Sequence, residues 1–223
     1  MQKSSQYTDD TIAFSSGLAV AIDRILDIND SLPDDQKIRV ISISRGFSDL
    51  NDEGVQTFLD AVNRAKKAGI FVITTSTYLY YDFIDLETEF AGLGKADYAG
   101  DPDELSTYTL GTWEQFAPEA YSKKLLVPMD ARTTADFTGS EDYVFYNDGG
   151  YSWVAPYLAG LYALAVQVKP NMTPKEFWKT ALETATEQTF KIHTPQTVAN
   201  ATEPESYTFE HIVNPVALIE ALR

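Results

Sequence analysis

Leu18, Ala19, Ile22, Ile25 and Leu26 recur at the i, i+3/i+4 spacing of a helix with one buried face. Ser15 or Ser16 is placed to cap its start, and Asn29-Asp30 ahead of Pro33 to end it. The period then shortens. Ile38 to Ser44 is a β-branched run that predicts a strand ending at Gly46. From Asp49 to Gly69 the helical rhythm returns, with Val55, Phe58, Leu59, Val62 and Ala65 as its stripe. Arg64, Lys66 and Lys67 suit its C-terminal end, and Gly69 its cap. Ile70 to Thr75 is continuously apolar, the pattern of a strand covered on both faces. The stretch 78–121 breaks the alternation and is expected to be a long loop or insertion.

Regularity resumes with a strand at Leu125 to Pro128. Arg132 to Phe137 and Tyr143 to Tyr146 flank Thr138-Gly139-Ser140-Glu141 as a hairpin. Trp153 to Val168 is apolar on nearly every side, so a helix buried at the centre is expected there. Thr173-Pro174-Lys175-Glu176 is a capping box that opens a helix running to about Ala185. A polar, Thr-rich stretch follows, and Val216 to Leu222 reads as a closing helix. Helices alternating with apolar strands predict an α/β fold with a mostly parallel sheet, in one domain over 1–223.

Charge and composition narrow the functions open to such a fold. The 33 acidic and 17 basic residues leave a net charge of −16, which argues against nucleic acid or an anionic membrane as partner. The chain contains no cysteine, so disulfides, a thiol nucleophile and Cys-ligated metal sites are excluded. No apolar run reaches the ~18 residues of a membrane span. The acids Asp97, Asp101, Asp103 and Glu104 supply oxygens of the kind calcium takes but lack EF-hand spacing. They read as a solvated loop, with no metal site. The Tyr78-Leu79-Tyr80-Tyr81 run reads as packing or cleft wall.

One segment carries the pattern of chemistry. Gly149 and Gly150 allow a sharp turn, Ser152 follows, and an apolar helix begins at or just beyond it. A hydroxyl placed there sits among unpaired N–H groups at the positive end of the helix, where an oxyanion is stabilised. The simpler reading makes Ser152 the N-cap of that helix. His193 and His211, the two histidines, both follow Ser152 and read as solvated loop residues.

Gly150-Tyr151-Ser152-Trp153-Val154-Ala155-Pro156, followed by Ala159-Gly160, resembles the nucleophile segment of the subtilases, the subtilisin-like serine proteases. Gly150, Ser152, Pro156, Ala159 and Gly160 match it in spacing, while Tyr151, Trp153 and Val154 depart from it. Val40 to Gly46 resembles the family's substrate-pairing strand. Ala65 to Ile73 resembles the helix-to-strand passage that ends in the oxyanion asparagine, and Ile212 to Pro215 the late Val-Asn element. The resemblance runs from about Ser16 to Leu222 and implies a three-layer subtilisin-like fold whose N-terminal part is absent.

It further implies that Ser152 is the nucleophile and that Ser44, Arg45, Gly46 and Gly150 line the substrate cleft. Thr77 stands near the position of the missing asparagine, as an oxyanion donor beside the Ser152 N–H. Arg45, in place of an apolar residue, suggests an acidic or polar preference. The family's Asp and His motifs do not occur, and Met1 aligns beyond both. The expected function is therefore the nucleophile-bearing part of a serine endopeptidase acting on peptides or proteins without a cofactor. The alternative is a pseudoprotease, a peptide-binding or regulatory module of the same fold. An exported or cell-surface bacterial location is implied by the resemblance alone.

Overall fold

A computed structural model of the chain describes residues 4–46, 53–77, 90–97, 99–111, 115 and 117–223, with side chains outside 4–13 and 53. Helix α1 (Ser4–Ser31) is longer than its apolar stripe predicts. Ser15 is buried inside it and caps nothing, and Ser16 likewise lies within the helix. Asn29, near its end, is also buried. Its carboxamide accepts from the Ile38 N–H (2.6 Å) and fixes the turn into β1 (Val40–Ile43). Helix α2 (Glu53–Lys67) lies against α1, where Arg64 grips both oxygens of Asp23 at 2.8 and 2.7 Å. The expected start of this helix at Asp49 lies outside the described residues. Gly69 follows at φ +78°, a left-handed turn that glycine adopts freely, and leads into β2 (Phe71–Thr74).

Strands β1 and β2 form a parallel pair. A second sheet holds β3 (Phe90–Lys95), β4 (Tyr108–Leu110), β5 (Leu125–Pro128), β8 (Thr186–Ile192) and β9 (Glu205–Ile212) in the order β4-β3-β5-β9-β8. Strands β3, β5 and β9 run parallel, and β4 and β8 pair antiparallel at the two edges. The expected mostly parallel sheet is thus present as two hydrogen-bonded pieces on a shared core. Strands β6 (Arg132–Ala135) and β7 (Tyr143–Tyr146) form the expected hairpin.

Helix α2 packs on β2, and α3 (Val154–Val168) packs on β1 and β2, joined by α4 (Pro174–Glu183) and α6 (Pro215–Ala221). Phe71 meets Tyr162, Phe177 and Trp178 edge-on, with ring centroids 5.3 to 6.5 Å apart. Because strand side chains alternate, β3 and β5 feed two cores at once. Phe90, Leu125 and Val127 join the main one, while Ala91, Leu93 and Leu126 meet Phe190, Phe209 and Ile212 on the other face.

Three expectations change here. The stretch 78–121 is not a loop throughout, since β3 within it is buried between β4 and β5 in the larger sheet, and β4 pairs beside it at the edge. Its two glycines hide the strand from periodicity, and at Gly92 the Met129 thioether occupies the space where a β-carbon would stand. Residues 78–89, with the tyrosine run, lie outside the described residues. The Thr-rich stretch after α4 contains the antiparallel pair β8–β9 and the short helix α5 (Pro195–Ala199). Helix α3 is not buried all round, because Leu164 is 50% exposed and Pro156 and Gly160 are also exposed.

Candidate active site

Ser152 lies in a 3₁₀ turn, Tyr151–Trp153, which runs directly into α3. The side chain is exposed. Among the described residues, neither its hydroxyl nor its N–H has a hydrogen-bond partner. No side chain caps α3, whose preceding residue is Trp153, so the simpler reading of Ser152 as a helix cap does not hold. What remains is an open hydroxyl beside an open N–H at the positive end of a fifteen-residue helix.

The turn is held from three sides. Gly150 sits at φ +112°, ψ 173°, a conformation essentially restricted to glycine, and its carbonyl accepts from the Trp153 N–H at 2.9 Å. Tyr151 stacks on Phe90 (5.6 Å between centroids) and donates its hydroxyl to the Phe90 carbonyl at 2.7 Å. Ser44, at the end of β1, donates to the Ser152 carbonyl at 2.7 Å. The structure therefore brings Ser44, Gly150 and Ser152 together.

A carboxylate absent from the sequence expectations completes the support. Asp130 is buried, and its two oxygens accept from the N–H of Gly149 (2.8 Å) and of Lys95 (2.9 Å). This clamps the loop before Ser152 to the end of β3. Gly149 has no room for a side chain, because a β-carbon would run into the Met129 carbonyl oxygen. A lone Asp after a proline-terminated strand reads as turn chemistry. The only sequence signal pointing to it was the pair of glycines that it faces.

The remaining expected residues fall as follows. Gly46 lies against the Thr75 and Ser76 hydroxyls, so the ends of β1 and β2 meet there. Arg45 is exposed, its guanidinium carbon 4.3 Å from the Phe14 ring centroid. Thr77 departs from the donor role. It is fully buried, donates its hydroxyl to the Thr74 carbonyl (2.9 Å) and accepts from the Thr74 N–H (3.0 Å), so that proton is already committed. His193 is exposed beyond β8, and His211 on β9 sits 3.2 Å from the Lys123 carbonyl. Neither bonds to Ser152. Asp97 and Asp101 each accept from a backbone N–H two residues on, which is turn chemistry. Among the described residues no cluster of His, Asp and Glu is arranged to hold a metal ion, and no helix is long and apolar enough to cross a membrane.

No protein-family model and no curated protein matches the sequence. Solved structures do match. A chain of the subtilase cytotoxin SubAB superposes with a TM-score of 0.55 at 14% identity, covering 92% of this chain and 64% of that one. The self-cleaved protease domain of PatA gives 0.49 at 16% identity, over 93% and 68%. Fervidolysin from Fervidobacterium pennivorans, a keratinolytic enzyme related to subtilisin, gives 0.48 at 16% over 84% and 27%. The chain thus spans about two thirds of the length of the first two. The parallel strands, the flanking helices and the SubAB superposition establish a subtilisin-like α/β fold for this chain.

Proposed function

We propose that this chain is the nucleophile-bearing part of a serine endopeptidase, with Ser152 as the residue that accepts the acyl group. The observation that carries this reading is the exposed Ser152 hydroxyl beside its own unpaired N–H at the start of α3. In the reaction, Ser152 Oγ adds to a peptide carbonyl carbon as its proton passes to a general base. The base then protonates the departing amine, and water releases the acyl group. The Ser152 N–H holds the developing oxyanion, supported by the dipole of α3. A base and its orienting carboxylate are required beyond the groups that the described residues place at Ser152. Ser44, Arg45 and Gly46, continuing past β1, with Gly150 opposite, form the edge along which an extended peptide lies. Arg45 favours an acidic or polar side chain beside it. In the full-length protein, cleavage of a fluorogenic protein substrate is expected and is abolished in Ser152→Ala. Equal turnover by the two proteins contradicts the reading.

The commitment of the Thr77 proton supports a second reading, a module that binds peptides without cleaving them. That reading expects peptide binding, unchanged in Ser152→Ala, and no turnover.

A further inference from the structure

We propose that the cavity outside the carboxyl ends of β5 and β9 binds a single carboxylate carried beside an apolar group, with Arg132 as its anchor. The cavity measures about 480 Å³ and contains none of the residues assigned to the Ser152 site, so the inference stands independently of that reading. Its size falls within the range of small-molecule sites, and its position is where ligands settle in open α/β sheets. Pro128 ends β5 on one side of it, and Val213 follows β9 on the other. With Leu105 and Val216, which is 67% exposed, they make an apolar wall.

The lining also offers hydrogen-bond donors. Arg132 on β6 donates through Nε to the Asp130 carbonyl at 2.9 Å and through Nη2 to the Tyr108 hydroxyl at 2.5 Å. Its guanidinium carbon also lies 5.9 Å from the Tyr108 ring centroid and 5.8 Å from that of Tyr157. These contacts hold the planar group in place. Nη1 has no partner and the side chain forms no ion pair among the described residues, in a chain of net charge −16. The Tyr157 hydroxyl is also unpartnered there, and burial pushes its ionisation up, so it keeps a proton to donate. Thr186 accepts from the Asn214 side chain at 2.9 Å, which leaves its own hydroxyl hydrogen open.

A charged donor and two neutral ones beside an apolar wall match a carboxylate with a hydrophobic neighbour. Asp103, exposed, is the one acid lining the cavity, and its like charge weighs more heavily against phosphates and dicarboxylates than against a single carboxylate. The chemistry is shared by the free C-terminus of a peptide ending in an apolar residue and by a small aryl or alkyl acid.

The test is titration calorimetry on full-length Ser152→Ala protein, which prevents turnover. The probes are 3-phenylpropionate, N-acetyl-Ala-Ala-Phe with a free carboxylate, and the amide of each. A Kd on the order of 1 mM or tighter is expected for at least one acid. It weakens about tenfold or more in Arg132→Gln and severalfold in Tyr157→Phe, and the amides bind far more weakly. Binding of the peptide acid alone identifies a peptide terminus as ligand, and binding of phenylpropionate alone a small acid; either supports the proposal. No binding of either acid overturns it. So does equal binding of acid and amide, or an unchanged Kd in a folded Arg132→Gln variant.

Discussion

Gly150 and Gly149 are glycines for different reasons, and their substitutions separate the two. Gly150→Ala forces a side chain onto φ +112° and is expected to lower stability by about 1–3 kcal/mol. Gly149→Ala meets a fixed carbonyl oxygen and carries a similar overpacking penalty of about 1–3 kcal/mol. Asp130→Ala leaves the buried Lys95 N–H and the half-buried Gly149 N–H without an acceptor, for an expected loss of about 1–3 kcal/mol in urea denaturation. Asp130→Asn, which keeps one acceptor oxygen, is expected to lose less. At this scale the Gly-Gly-Xaa-Ser pattern was legible, because a sharp turn into an apolar helix has a local signature. Thr77 was not. Whether a hydroxyl at a strand end faces a ligand or bonds back to its own strand is set by three residues of backbone geometry.

Elements with a strong period were legible as elements, including α2, β1, β2, β5, the β6–β7 hairpin, α4 and α6. Strand β3 was not, because the two glycines of Phe-Ala-Gly-Leu-Gly-Lys interrupt its apolar run. Helix α3 reads as wholly buried from composition alone, since its exposed residues are as apolar as its buried ones. Cap substitutions test how tightly the later elements are fixed. Thr173 accepts from the Glu176 N–H at the start of α4, and Asn214 accepts from the Ala217 N–H at the start of α6 while also donating to Thr186. Thr173→Ala is expected to lower stability by about 1 kcal/mol, read as a fall in Tm. Asn214→Ala is expected to lower it further, because it also cuts the tie to β8.

The whole molecule carries its net charge of −16 as self-repulsion that salt screens. A scan from low salt to about 0.5 M NaCl is expected to raise Tm; a fall contradicts that balance. Falling pH acts locally as well as globally. The Lys169 ammonium, hydrogen-bonded to Glu176, holds that carboxyl below its ordinary value of 4.5. Its contribution is present above that value and is lost as pH falls through the depressed one. Lys169→Ala is therefore expected to flatten the acid limb of the stability profile.

The central claim is that Ser152 presents a reactive hydroxyl, and active-site phosphonylation tests it most directly. Full-length protein treated with a fluorophosphonate and analysed by peptide mass spectrometry is expected to carry the adduct on Ser152, with none in Ser152→Ala. An adduct absent from Ser152, or labelling equal in the two proteins, contradicts the account.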